Sequence, residues 1–255
     1  MRLSAIVPVL NESFFMPLYL ESVSAFADEI LIVDGGSTDG TLETIERFRG
    51  MGKCDIRVFS MPQTGQPYTE AWNEHAVRNF LIEQATGDWI INLDADEMFD
   101  DRIREMLPEL MSNEHADAYR FPFICFWGDI GTVRVNAPGD EHWSVDILRM
   151  FRHHIGIRYN DMKHHCTLLL EDGRSIWHLP PRRVDVPAYH YHYGLGSRIK
   201  YNDSRRNDVN IINNGDVPDW QYGKLPYEIR TVSFAGEHPF VVRNYLRSRA
   251  PSSDT

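Results

Sequence analysis

Apolar residues come along this chain in short runs, separated by stretches of helical spacing. "AIVPVL" (5 to 10) is broken by the polar turn Asn11-Glu12-Ser13, after which Phe15, Leu18, Tyr19, Val23 and Phe26 fall on one helical face. "EILIVDGG" (29 to 36) is a β-branched run closed by glycines. "STDGTLETIERF" follows with helix-start residues and with Leu42, Ile45 and Phe48 at helical spacing. The same alternation predicts a strand at "IRVFSM" (56 to 61), a helix at "TEAWNEHAVRNFLIEQA" (69 to 85) with Trp72, Val77, Phe80 and Leu81 inward, and a strand at "DWIINLD" (88 to 94). Strands alternating with helices predict an α/β chain built on a mainly parallel, doubly wound sheet. After a short helix at "DRIREMLPELM" (101 to 111) the pattern loosens. "AYRFPFICFWG" (118 to 128) and "VDILRMFRHH" (145 to 154) read as strands, the chain from about 195 is polar and poorly periodic, and "APSSDT" reads as a frayed tail.

Composition narrows the class. With 255 residues, 42% hydrophobic and 25% charged, the chain has material for one large α/β domain or two small ones. A formal charge of -11 argues against a nucleic-acid surface. Cys54, Cys125 and Cys166 show no CxxC spacing, so neither a disulfide framework nor a thiolate zinc site is expected, and a reducing cytoplasm is the simplest setting. "MRLSAIVPVL" lacks a small-residue cleavage site and reads as a first strand, and no apolar run reaches the ~18 residues of a membrane span.

The candidate chemistry sits where strands end. "INLDADEMFDD" (91 to 101) drives an apolar run into Asp94, Asp96, Glu97, Asp100 and Asp101. Two like charges 4 Å apart repel by about 4 kcal/mol at an effective dielectric of ~20, so a fixed cluster of this kind calls for a cation. Ligands of open parallel sheets bind outside the carboxyl ends of the strands, and three polar sets fall there: Pro8 to Glu12, Asp34 to Asp39, and Asp94 to Glu97. The glycine-rich "DGGSTDG" offers backbone donors, Asp34 an acceptor for a base or ribose, and Asp94 with Asp96 hard oxygen ligands for Mg²⁺ or Mn²⁺. A nucleoside diphosphate joined to a leaving group suits that combination. Asp100 and Asp101 read as ordinary helix-start acids, and Trp127, Trp143, Trp177 and Trp220 more readily as core than as a sugar-stacking groove.

"AIVPVLNE", "ILIVDGGSTDGT", "AVRNFLIEQATGDWIINLDADE" and "FAGEHP" together resemble the family 2 glycosyltransferases of the GT-A fold, nearest to the lipopolysaccharide-core type. The resemblance implies a single GT-A domain over residues 1–255, with a nucleotide-sugar-binding half at 1–112 and an irregular acceptor-binding half at 113–255. It implies metal-dependent, inverting transfer of a sugar from a nucleotide-sugar donor, a UDP-sugar first of all, to a hydroxyl acceptor. Pro8, Glu12, Asp34, Arg78, Asp94, Ala95 and Lys200 would then serve the donor. Asp96, His164 and His192 would hold the metal, with Arg198 a further phosphate partner. Where the family carries an "HE" pair, this chain reads His164-His165, so the expected acid is replaced. Asp146 is the first candidate for the general base, with Asp161, Glu141 and His165 open. Two rivals remain at this stage: a nucleotide-sugar binder without turnover, and a haloacid-dehalogenase-type phosphatase with Asp94 as nucleophile. The latter is disfavoured by Glu97 where its motif carries Thr or Val. The acceptor and the oligomeric state are not legible.

Overall fold

In the computed structural model the described residues are 1–62, 73–135, 146–153, 156–161, 166–178, 182–195 and 230–249. Four strands run parallel in the order β3 (Asp55–Ser60), β2 (Glu29–Asp34), β1 (Leu3–Val9), β4 (Trp89–Asn92). Helices α1 (Met16–Val23), α2 (Thr41–Arg49) and α3 (Glu74–Gln84) lie between them in sequence. Successive strand residues face opposite sides, and here both sides are apolar. Leu3, Ala5, Val7, Val9, Ile30, Ile32, Trp89 and Ile91 share a core with Leu18, Tyr19 and Ile45, while Ile6, Leu31, Val33 and Ile90 pack with Val77 and Leu81 of α3. A sheet apolar on both faces needs helices on both, which is why the chain winds doubly.

Past β4 the sheet turns antiparallel. β8 (Asp146–Arg152) pairs with β4 through Met150 and Ile91, β6 (Ala118–Trp127) pairs with β8, β7 (Asp129–Val135) with β6, and β12 (Arg230–Ser233) with β7. Because β8 opposes β4, its first residues lie beyond the carboxyl end of β4. A short strand β5 (Glu97–Phe99) pairs antiparallel with β11 (Ala188–Tyr193), which runs parallel to β6. β9 (Arg158–Tyr159) and β10 (Leu168–Leu169) form a separate pair, and helices α4 (Ile103–Ser112) and α5 (Phe240–Arg249) complete the described elements. The first four strands and the helices between them fall where the hydrophobic pattern predicts, though β4 stops at Asn92 and Trp72 lies outside the described residues. The poorly periodic stretch from 195 nonetheless contains β12 and α5.

One buried charge closes the edge opposite the strand ends. Glu29 is 1% exposed and accepts hydrogen bonds from Ser4 Oγ (2.6 Å), Thr86 N (2.7 Å) and Thr86 Oγ1 (2.8 Å). Burial alone would raise its carboxyl, but these donors and the Arg2 charge bring it below the ordinary 4.5. A group lowered in the folded state contributes its stability in full above the unfolded value and loses it as pH falls through the folded one. The stability gap between wild type and Glu29→Gln is therefore expected to be widest near neutrality and to shrink below about pH 4.5. Urea unfolding across that range checks this, and a gap independent of pH would contradict it.

Candidate active site

The first two polar sets interlock at the carboxyl edge. The Asp34 carboxylate, 2% exposed, accepts from Gly36 N–H (2.8 Å) and Ser37 N–H (3.1 Å) of its own loop. Asn11, at a φ of 57°, receives Thr38 N–H on Oδ1 (2.9 Å), and its own N–H donates to Ser37 Oγ (2.9 Å). Glu12 N–H donates to Thr41 Oγ1 (2.8 Å). Gly36 and Gly40 hold φ values of 95° and 94°, where a side chain would be strained, so this turn requires glycine. Pairing of β4 with β1 stops at Ile6, so Pro8 lies where the ladder continues only toward Val33 of β2.

Each acid of the 94 to 101 run has its own partner. Asp94 Oδ1 accepts from Arg78 Nη2 at 2.7 Å, and Asp94 Oδ2 lies 3.6 Å from Arg149 Nη2. Arg78, 8% exposed, gives its Nε to Glu74 (2.7 Å) and its Nη1 to Asn92 Oδ1 (2.8 Å), so it braces Asp94 from beneath. Glu97, 1% exposed, receives Arg149 Nε at 2.7 Å and Nη2 at 2.5 Å. Burial would raise Asp94, but Arg78 and Arg149 hold it below the ordinary carboxylate value. Burial pushes Glu97 up to about 7, with Arg149 opposing and Asp94 adding to the rise. Asp100 accepts from Arg102 N–H at the start of α4 (3.0 Å), as expected of a helix-start acid, whereas the Asp101 carboxylate turns to Phe240 N–H at the start of α5 (2.9 Å), a helix remote in sequence.

Asp96 faces two histidines. Its Oδ2 lies 2.6 Å from His192 Nδ1 and 3.8 Å from His190 Nε2, and one ligand atom from each of the three lies within 4.8 Å of the others. His190 stacks on Phe123 at 5.2 Å, and its Nδ1 is buried without a hydrogen-bond partner. Burial lowers His190 to about 4, so at neutral pH it carries the uncharged imidazole that ligates metals. A carboxylate with two imidazoles, one deprotonated by its surroundings, fits a divalent transition-metal ion.

The expected Asp94/Asp96 pair is thus split: in this geometry Asp94 belongs to the arginines and Asp96 to the histidines. His190, which is not among the metal candidates of the sequence reading, joins His192. Of the site's central residues, Arg149 is not a candidate in the sequence reading at all, and Glu97 enters it only as a member of the acidic run. A lone charge inside the apolar "ILRMF" (147 to 151) was the available signal for Arg149. The strict alternation of "YHYHY" was the signal for His190 and His192, since it puts both on one strand face. Ala95 packs into the core at 4% exposed. Asp146 opens β8 with Oδ1 3.0 Å from Arg183 Nε, and Asp161 is exposed after β9. His153 is drawn to the opposite edge, its Nδ1 3.0 Å from Gly87 O. His164, Lys200, Arg198, Glu141, His165, Trp143 and Trp220 lie outside the described residues.

A doubly wound sheet with its polar loops gathered at the carboxyl edge places the candidate site where such sheets bind ligands. The sequence profile described as Glycosyl transferase family 2 matches residues 4–171, and the chain belongs to that family, with the GT-A fold. LpsC, a lipopolysaccharide core biosynthesis glycosyltransferase of Rhizobium meliloti (strain 1021), is 38% identical over 111 residues, which is 43% of this chain and 37% of LpsC. SunS, a prophage-derived glycosyltransferase of Bacillus subtilis (strain 168), is 35% identical over 205 residues, which is 78% of this chain and 42% of SunS. The structure of TarS from S. aureus superposes with a TM-score of 0.52 at 17% identity, covering 84% of this chain and 40% of TarS. The match thus spans less than half the length of either curated relative. Among the described residues no helix is long and apolar enough to cross a membrane.

Proposed function

We propose that this chain moves a sugar from a nucleotide-sugar donor, a UDP-sugar, onto a hydroxyl acceptor with inversion at the anomeric carbon, and that it does so with a divalent metal. The observation that carries this reading is the Asp96, His190 and His192 cluster beside the braced Asp94, at the edge where parallel sheets bind ligands. A UDP-type donor is supported by a second TarS structure, of TM-score 0.51 and 16% identity, in complex with UDP-GlcNAc. Two imidazoles beside one carboxylate suit Mn²⁺ better than Mg²⁺. When bound by Asp96, His190 and His192, the ion supplies Lewis-acid stabilisation of the charge on the departing diphosphate.

The remaining work falls to the chain's own groups. Asp34, pinned by two amides of its loop, presents an acceptor to the base or ribose, with Pro8 and Glu12 alongside. Arg78 acts through Asp94, fixing its orientation toward the donor. Inversion by a single displacement needs a carboxylate on the acceptor side to take the hydroxyl proton. We assign that role to Asp146, because the antiparallel course of β8 carries it beyond the end of β4, with Asp161 the alternative.

Incubation with UDP-, GDP- and dTDP-sugars over a panel of hydroxyl acceptors, following nucleoside diphosphate release, tests the reading. Release from a UDP-sugar that stops on chelation and returns with Mn²⁺ is expected. Release indifferent to chelation would remove the metal from the account, and nucleotide binding without turnover would make the chain a binder.

A further inference from the structure

The strand that carries the two histidines has a second face. Tyr189, Tyr191 and Tyr193 alternate with His190 and His192 along β11, and the back of the strand rests on an aromatic group drawn from β6 and from the segment between β12 and α5. Tyr191 is fully buried and stacks on Phe126 with centroids 4.8 Å apart. Its hydroxyl shares a 3.0 Å hydrogen bond with His238 Nδ1. The His238 ring lies 4.9 Å from Phe126 and 5.0 Å from Phe234. Tyr189 Oη donates to Glu237 O at 3.1 Å. The His238 turn is itself tied at both ends. Phe234 N–H donates to Gly131 O (2.7 Å), Phe240 N–H donates to Asp101 (2.9 Å), and Tyr245 of α5 meets Phe14 edge-on at 5.6 Å.

Backbone pairing alone does not fix β11 at His192. β5 pairs with β11 only as far as His190, and the register with β6 shifts between His190 and Tyr193. At the shift, Tyr191 N–H donates to Asp96 O (2.9 Å), so the backbone of Tyr191 meets the very residue whose side chain its neighbour His192 contacts. A small rotation of β11 there would carry His192 off Asp96. After Tyr193 the chain is pressed home as well, since a Cβ on Gly194 would lie 2.3 Å from Phe126 Cβ.

We infer that Tyr191 and His238 are positioning residues for the metal site, and that the "GEHP" turn is a back-face anchor which sets the presentation of His192 to Asp96. The inference rests on the metal reading given above and adds to it a role for residues on the other face of β11. Partners that orient metal ligands typically change metal affinity by 10- to 100-fold when removed. Tyr191→Phe, which deletes only the hydroxyl, and His238→Ala are each expected to weaken Mn²⁺ binding about tenfold. His238→Asn, whose side-chain amide reaches the place of Nδ1, is expected to recover most of that loss.

The experiment titrates Mn²⁺ into wild type, Tyr191→Phe, His238→Ala, His238→Asn and His192→Ala, reading free Mn²⁺ by EPR, with thermal unfolding in chelator alongside. A loss in the first two variants larger than any change in unfolding predicts, with recovery in His238→Asn, supports the inference. Wild-type affinity in Tyr191→Phe and His238→Ala, with binding abolished in His192→Ala, overturns the inference and leaves the metal reading standing. His238→Asn as weak as His238→Ala overturns the hydrogen bond as the cause. Absence of Mn²⁺ binding by wild type overturns both.

Discussion

Asp96→Ala is expected to abolish Mn²⁺ binding and to cut UDP-sugar turnover by about 10²- to 10³-fold, the scale on which loss of one group stabilising developing charge is felt. Among the described residues Asp96 is the one carboxylate grouped with both histidines, and its neighbours are engaged elsewhere: Asp94 is held by Arg78 at 2.7 Å and Glu97 by Arg149 at 2.7 Å. The fold should survive, because the backbone hydrogen bond from Tyr191 N to Asp96 O does not depend on the side chain. Asp96→Asn, which keeps the shape and loses the charge, is expected to fail nearly as badly. Manganese titration and donor turnover measured on the same preparations check this, and full turnover in either variant would count decisively against the assignment.

Arg149→Met is expected to act on stability before it acts on chemistry. Glu97 has a side chain 2% exposed, and Arg149, whose own side chain is 13% exposed, reaches both of its oxygens, with Asp94 N–H a further donor to Oε2 at 3.2 Å. Removing one partner of a buried ion pair costs about 3–5 kcal/mol when the charge left behind stays ionised, whereas replacing both partners with neutral groups of similar size is often close to harmless. Glu97, already pushed up to about 7, can take a proton once Arg149 is gone, so the loss is expected at the low end of that range and to grow as pH rises. The double variant Arg149→Met/Glu97→Gln should therefore regain most of the stability lost by Arg149→Met. It should not regain activity, since Asp94 would still lack its second arginine at 3.6 Å. Urea unfolding of the two variants beside wild type separates these effects. A single variant within about 1 kcal/mol of wild type would show that Glu97 finds other compensation.

The parallel half of the fold was legible because its physics is local. Runs such as "EILIVD" are apolar on both faces, their ends are marked by glycine and acid, and strand ends on one sheet edge bring Asp34, Asp94 and Asp96 together. What the chain does with those acids was not legible, because their partners arrive through antiparallel pairing at long range. Arg149 meets Glu97 only because β8 lies against β4, and no local spacing announces that. The charge question raised by "INLDADEMFDD" accordingly has two answers. Arginines of the protein neutralise Asp94 and Glu97, while Asp96 faces His190 and His192, the trio to which we assign the metal. β12 was missed for a different reason: all four of its residues, Arg230 to Ser233, are exposed, so it has no apolar period to read. Only Val241 and Val242 of α5 are buried, too few for a clear helical face.

The most direct test of the central claim is pulsed EPR on the Mn²⁺-loaded protein with UDP bound. Nitrogen couplings from two imidazoles are predicted, one lost in His190→Ala and the other in His192→Ala. A manganese signal without any nitrogen coupling, unchanged in both variants, would place the ion elsewhere and contradict the account.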